Sequence, residues 1–373
     1  MSTAAEWERP ARSAIDPSAI AAGLISSSRF TTNGPLLQVS DLEVRFVTRD
    51  RTVHAVNGVS FDLDVGETLG IVGESGCGKS VTSLAMLGLL PRATARVPAG
   101  SVRFDGEDLL RLREDRLCQI RGRDIAMIFQ DPMTSLNPVM SVGRQLTETV
   151  RTHLGYDRGQ ARDAAADLLD RVGIPDPRRR LREYPHQFSG GMRQRVMIAM
   201  AIACRPRLLI ADEPSTALDV TIQAQILKLL RALVETEGMA LMLITHDLGV
   251  VAGTCERIAV MYAGRIVETA PTAELFARPQ HPYTLGLLRS VPRLDSGHDT
   301  ALAPIPGAPR DQTAALTGCA FAPRCTYATQ ESRERLPVLT PAPSAGAGHQ
   351  VACWNPVPEA DRRALTRLQG GQT

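Results

Sequence analysis

One run of the chain is built to meet an anion: Gly73-Glu74-Ser75-Gly76-Cys77-Gly78-Lys79-Ser80, followed by Val81. Glycines at this density let the backbone curl until successive N–H groups point inward around a phosphate. A helix that starts where the run ends adds its positive N-terminal end. Lys79 can then reach the β- and γ-phosphates of a nucleotide, and the Ser80 hydroxyl can ligate Mg2+. Residues 208–213, Leu-Leu-Ile-Ala-Asp-Glu, supply a second piece of chemistry. Four apolar residues make a buried strand, and two carboxylates emerge at its C-terminal end. Asp212 suits an outer-sphere Mg2+ contact, and Glu213 suits polarisation of an attacking water. The pair favours hydrolysis over transfer to a bulky acceptor. A third piece is FSGGMRQRVMIAMAIA, residues 188–203. Ser189 caps a long helical stretch through Gly190 and Gly191, exposing a second helix N-terminus. Taken alone, that stretch reads first as an ordinary capped helix entry.

These groups need elements to position them. Thr68–Val72 is a short apolar run directly before the glycine loop, a buried strand. The pattern after the loop predicts a helix over 79–90, ending before Pro91. Residues 42–47 and 59–65 alternate like strands, and Ser101–Phe104 runs into an Asp-Gly turn. Over 161–172, Ala161, Ala165, Leu168, Leu169 and Val172 share one helical face. Two further apolar runs, 208–211 and 241–244, sit among helical segments. Such alternation predicts an α/β fold with a largely parallel central sheet, whose ligands gather at the carboxyl ends of the strands. Arg257–Tyr262 and 265–269, split by Ala263-Gly264, predict a hairpin. Beyond Pro271, proline and Gly/Ala/Ser stretches become frequent. The expected division is a loose tail at 1–35, a nucleotide-binding domain at 36–285 and a small loop-rich appendage at 286–373.

Bulk properties narrow the function. Among 373 residues, Lys and Arg total 42 and Asp and Glu 40. That balance provides no basic footprint for nucleic acid. Arg178-Arg179-Arg180 with Arg182 is the one dense basic run and reads as a solvated turn. No apolar run reaches the ~18 residues of a membrane span. The N-terminus lacks the apolar core of a signal peptide. The expectation is a chain that neither spans a membrane nor is secreted, though it can dock on a membrane partner. Seven cysteines, an odd and scattered number, make no disulfide framework and suit the cytosol. Cys77 reads as a small filler in the glycine loop, although a helix N-terminus there can also lower a thiol's pKa.

The order of motifs carries a resemblance. Glycine loop, Gln130 in MIFQDPMTSLNP, Ser189-Gly190-Gly191, Asp212-Glu213 and His246 in LMLITHD follow one another as in the ATP-binding subunits of ABC transporters. FSGGM resembles their signature, usually LSGGQ, with Phe188 and Met192 departing from it. The likeness implies a P-loop fold of the ABC type with helical and antiparallel β subdomains, and ATP and Mg2+ as cofactors. It implies Glu213, His246, Lys79 and Gln130 as catalytic residues, and 73–81 at the phosphates. Ser80, Gln130 and Asp212 would serve Mg2+. Ser189, Gly190 and Gly191 would serve the ATP of a partner subunit. Ala217-Leu218-Asp219 resembles the D-loop, with Asp219 near that ATP. The adenine-stacking position falls on Phe46, Val53 or His54. Together with HPYTLGLLRSVP, these stretches resemble the ATPases of oligopeptide and dipeptide importers, some of whose relatives serve nickel.

That resemblance implies a homo- or heterodimer of ATPases on the cytoplasmic face of the cell membrane, two permease subunits, an extracytoplasmic solute-binding protein, and no nucleic acid. A soluble ABC-type ATPase acting on nucleic acid or ribosomes is the rival reading; it would call for a coiled-coil insertion or a second ATPase domain, and neither is visible. In similar subunits the appendage carries four cysteines that can hold an iron–sulfur cluster. Here Cys319, Cys325 and Cys353 stand, and the fourth position falls on Ser332. A three-thiolate site, a Ser-ligated cluster and no metal all stay open.

Overall fold

In the computed structural model the described residues are 34–131, 135–215, 218–290, 305–343 and 346–362. β1 (Leu37–Val47) and β2 (Thr52–Leu63) pair antiparallel, from Leu37 opposite Leu63 to Val47 opposite Thr52. β1 starts before residue 42, where strict alternation begins. The reason is local: Asp41 takes a left-handed φ of 49°, and the register slips between Val39 and Leu42. A slip of this kind moves the apolar positions out of phase, so the first half of the strand does not show by period two.

β3 (Thr68–Val72) leads into the glycine loop. The helix Lys79–Met86 that follows is shorter than the apolar pattern predicts. Gly88, at φ +63°, turns the chain out of the helix before Pro91 is reached. β4 (Ala95–Arg96), β5 (Ser101–Phe104) and β6 (Glu107–Asp108) complete the first sheet, in the order β2-β1-β5-β6 with β4 also on β1.

The second sheet positions the site. β7 (Ile125–Ile128), β8 (Leu208–Asp212) and β9 (Ala240–Thr245) run parallel to one another and to β3. β10 (Arg257–Tyr262) is parallel to β3 on its other side. β11 (Arg265–Pro271) forms the expected hairpin with β10. β12 (Thr340–Pro341) and β13 (Gln350–Val351), from the C-terminal region, pair antiparallel beyond β11. The order is β12-β13-β11-β10-β3-β9-β8-β7. β8 and β9 are buried along their whole length, as parallel strands covered on both faces require.

Helices Val142–Leu154, Arg158–Arg171 and Gly190–Ile202 pack on one another. Each start is capped by the side chain its sequence offers. Ser141 accepts from the Arg144 N–H, Asp157 forms a capping box with Gln160, and Ser189 accepts from the Met192 N–H. Such caps contribute about 1 kcal/mol each.

A buried polar knot ties the C-terminal region to the sheet. Glu268 on β11 accepts from the backbone N–H of Gln280 (2.6 Å) and His281 (2.9 Å), and its Oε1 lies 2.7 Å from His349 Nε2. His281 is itself 1% exposed. Its Nδ1 accepts from the Tyr283 N–H at 3.1 Å. Burial pushes its pKa down from 6.5 to about 3. Between those values the unfolded chain binds a proton that the folded chain refuses. Stability at this site is therefore full above pH 6.5 and is lost as the pH falls toward 3, with a limiting slope of about 1.4 kcal/mol per pH unit. His281→Asn keeps an acceptor for the Tyr283 N–H and has no proton to gain. Its melting temperature should fall less steeply than the wild type's between about pH 6 and pH 4. Parallel curves for the two proteins would remove His281 from the acid sensitivity.

Candidate nucleotide site

The register of the parallel strands delivers the site. Val72 lies opposite Thr245 and Val260, Asp212 opposite Ile244, and Ile128 opposite Ala211. The segments that follow β3, β7, β8 and β9 therefore leave the sheet at one edge. The glycine loop leaves from β3. It is held in a shape that side chains would break. A Cβ at Gly73 would lie 2.1 Å from the Met261 carbonyl oxygen, and one at Gly78, where φ is +106°, would lie 2.4 Å from that of Ala55.

Lys79 is buried at the base of the loop, and its Nζ donates to the carbonyls of Gly73 (2.7 Å) and Glu74 (3.0 Å). Those bonds aim the ammonium back along the loop. Ser80 Oγ donates to Asp212 Oδ1 at 2.9 Å. Burial raises the pKa of Asp212, and the Ser80 hydrogen bond and the Lys79 charge only partly oppose it. A desolvated carboxylate beside a hydroxyl is an oxygen pair that fits a hard divalent cation, which would supply the missing charge. Val81 packs against the apolar core under the loop.

Glu213 is the hub of a second group. Gln130 Nε2 donates to its Oε2 at 3.0 Å, and His246 Nδ1 lies 3.3 Å from its Oε1. The chain thus brings two of the sequence candidates, from the ends of β7 and β9, onto the carboxylate of a third at the end of β8. Gln130 bonds Glu213 here, while Ser80 bonds the neighbouring Asp212.

Ser189, Gly190 and Gly191 stand elsewhere. Ser189 and Gly190 are exposed. A Cβ on Gly190 would meet Leu218, and one on Gly191 would come 2.8 Å from Ile222 Cγ2. Asp219 caps the helix that carries Ile222, accepting from its N–H at 3.0 Å. The Ser-Gly-Gly turn and the segment at Asp219 are thus packed together; Ala217 lies outside the described residues. Phe188 and Met192, the departures from the usual signature, pack into the core behind the turn. Phe46 pairs with Val53 across β1 and β2 and packs against core residues.

Comparison with known proteins fixes what this arrangement belongs to. The family model for the ABC transporter matches residues 56–216, and that for the C-terminal region of oligopeptide/dipeptide transporters matches 267–331. The chain belongs to the ABC transporter ATP-binding family. It is 55% identical to a probable peptide ABC transporter ATP-binding protein, y4tR, of Sinorhizobium fredii, over 86% of this chain and 94% of that one. It is 50% identical to the oligopeptide transport ATP-binding protein OppD of Salmonella typhimurium, over 90% of this chain and 99% of that one. The dipeptide transport ATP-binding protein DppD of Bacillus subtilis is 51% identical, over 89% and 98%. Among solved structures, the cassette MJ0796, as a dimer in a post-hydrolysis state with ADP and phosphate, superposes with a TM-score of 0.56 at 26% identity. That match spans 63% of this chain and 98% of the other. This ABC ATPase is thus an α/β P-loop cassette that binds and hydrolyses ATP.

The cysteines of the C-terminal region do not make the implied cluster site. Among the described residues no group of three or more His, Cys, Asp or Glu side chains could hold a metal ion. Ser332, at the fourth position, is 6% exposed, and its hydroxyl accepts from Asn355 Nδ2 at 3.0 Å and from the Thr329 N–H at 3.3 Å. The four-thiolate donor set of such a cluster is therefore incomplete here.

Sequence reasoning missed other partners of the loop. Tyr283 Oη accepts from the Glu74 N–H at 2.7 Å. Arg324 and Gln312 also reach it, from hundreds of residues away. The only signal for Tyr283 was its place in the His-Pro-Tyr stretch, and nothing in spacing marks Arg324 or Gln312.

Among the described residues no helix is long and apolar enough to cross a membrane.

Cys77 is 5% exposed. Burial raises its pKa, and the nearby Lys79 only partly offsets this. The helix N-terminus therefore does not make it a reactive thiolate. An alkylating reagent at neutral pH should label the exposed Cys118 well before Cys77, as peptide mapping over time would show. Labelling of both at one rate would contradict the burial argument.

Proposed function

We propose that this chain is the ATP-hydrolysing subunit that powers peptide import through a membrane ABC transporter. The observation that carries the chemistry is Glu213 held between Gln130 and His246 at the edge where the phosphate loop opens. The loop amides from Gly73 to Ser80, with Val81 behind them, cradle the phosphates, and Lys79 neutralises the β- and γ-oxygens. Ser80 and Asp212, with Gln130 nearby, would hold Mg2+. The ion would neutralise charge developing on the transferred phosphoryl group. Glu213 polarises the attacking water. Gln130 fixes one carboxylate oxygen and His246 the other, so the base is pre-oriented for that water.

The exposed Ser189-Gly190-Gly191 turn completes a partner's site, because it faces solvent and bonds to no part of its own phosphate loop among the described residues. Asp219, packed behind that turn, lines the same junction. Two such subunits, identical or not, close head to tail around ATP and reopen after hydrolysis. The MJ0796 cassette structures are dimeric, which supports this reading. The cycle drives two permease subunits from the cytoplasmic face of the membrane, fed by an extracytoplasmic binding protein. Peptide as cargo is supported by the names of the relatives; nickel or another small solute is the alternative for the same ATPase.

Glu213→Gln should cut steady-state hydrolysis by at least about a hundredfold while ATP still binds. Hydrolysis at the wild-type rate would remove Glu213 from the base position. Ser189→Arg should leave ATP binding to the subunit intact and abolish ATP-dependent dimer formation, read by light scattering. A dimer that forms normally would count against the shared site. Cargo is tested with the permease complex purified from membranes. Peptide-loaded binding protein should stimulate its ATPase, whereas stimulation by nickel-loaded protein alone would overturn the peptide assignment.

A further inference from the structure

The phosphate loop is gripped from outside the cassette. Arg324 donates through Nη1 to Glu74 Oε2 at 2.7 Å and through Nη2 to Glu74 Oε1 at 3.0 Å. This is the two-pronged fork that a guanidinium makes best. The Arg324 side chain is only 5% exposed, and that of Glu74 is 26% exposed. Arg324 Nε also donates to the Pro306 carbonyl at 2.9 Å. Its guanidinium carbon lies 5.9 Å from the Tyr262 ring centre and 5.8 Å from that of Phe321. The hydrogen bonds to Glu74 raise the Arg324 pKa, so its charge is constant. One turn further on, Gln312 Nε2 donates to the Gly76 carbonyl at 2.8 Å. The Gln312 carbonyl accepts from the His54 N–H, also at 2.8 Å.

These contacts have two physical consequences. Gly76 and Gly78 sit at φ +78° and +106°, and a loop with such glycines has many other shapes to visit. Tying its turn at Glu74 and Gly76 keeps the inward N–H groups aligned before the anion arrives, and preorganisation of this kind tightens binding. Glu74 also places a carboxylate on the loop that must hold a polyanion. Left bare, that charge would repel ATP; forked to Arg324 it is neutralised in place.

We propose that the segment around residues 305–325 is a positioning element of the ATP site, in which Arg324 and Gln312 set the affinity for ATP by holding the loop and masking Glu74. The proposal rests on the reading that this loop binds ATP. Both residues bond the loop itself, at Glu74 and Gly76, so they act on binding and not on the chemical step.

The test is ATP affinity of the full chain by equilibrium binding, with kcat at saturating ATP and the melting temperature measured alongside. Arg324→Ala should weaken binding about tenfold, the scale of coupling through a contact network, with kcat within about twofold of wild type. Adding Glu74→Ala to Arg324→Ala should recover most of the lost affinity, because the unmasked charge is gone. Should the Arg324→Ala protein fold poorly, Arg324→Lys and the exposed-side Gln312→Ala serve in its place, each expected to weaken binding severalfold at unchanged melting temperature. Lys79→Ala separates the two readings. If it abolishes ATP binding while the folded Arg324 and Gln312 variants bind as the wild type does, the positioning role is overturned and the loop assignment stands. If Lys79→Ala binds ATP normally, the loop assignment itself fails. A loss in kcat with unchanged affinity would also overturn the proposal.

Discussion

Everything in the site depends on the parallel pairing of β3 with β9 and β10, carried outward through β8 to β7. Parallel strands must all exit on the same edge, and the register places Val72, Thr245 and Val260 level with one another. Four loops with no sequence relation to each other are therefore brought to one edge. A slip of one residue in any of these strands would turn its whole side-chain set over. In β8, whose end carries Asp212, such a slip would drive that carboxylate out of line with Ser80. The core thus protects the chemistry by making the wrong register costly.

The strand edge also explains a local strain. Glu213 takes a left-handed φ of 46°, a conformation that costs a non-glycine residue on the order of 1–3 kcal/mol. Its N–H donates to the Ile244 carbonyl at 2.8 Å, which continues the β8–β9 ladder one step past the strand. That bond turns the backbone sharply just where the carboxylate must leave the sheet. The side chain then reaches both Gln130 and His246, whose strands flank β8.

Much of this was legible in the sequence because its causes are local. Glycine spacing, an apolar strand before the loop and a serine before two glycines each act over a few residues. The central sheet and the hairpin at Ala263-Gly264 follow from such patterns, whereas Gln130 and His246 came into view beside Glu213 only through the resemblance in motif order. What escaped had non-local causes. The first half of β1 is masked by the slip at Asp41. β12 and β13 are two residues long and exist as strands because β11 offers an edge. The Arg324–Glu74 fork joins residues 250 positions apart, and no periodicity encodes it. The reading of the cysteines was limited by chemistry. Three thiols and a serine stand in the right order, but the fold spends the Ser332 hydroxyl on Thr329 and Asn355 and leaves the thiols half-buried.

The C-terminal region is therefore tied to the cassette by two different kinds of bond. At Glu268 the ties are fully buried and link β11 to His349 and to the chain before the Pro282–Ser290 helix. They fasten the region to the sheet. At Glu74 the ties reach the phosphate loop itself, at a rim that is partly open to water. A contact of the first kind sets whether the region is in place. One of the second kind would feel whether the loop is filled if the loop binds phosphate as proposed, because a shift there would move Glu74 against a guanidinium that Pro306 and two aromatic rings already hold still. The fixed end of that fork is Arg324 and the free end is the loop. By reciprocity, whatever stabilises the Arg324 segment must favour the loop shape it grips, and a filled loop must in turn steady that segment.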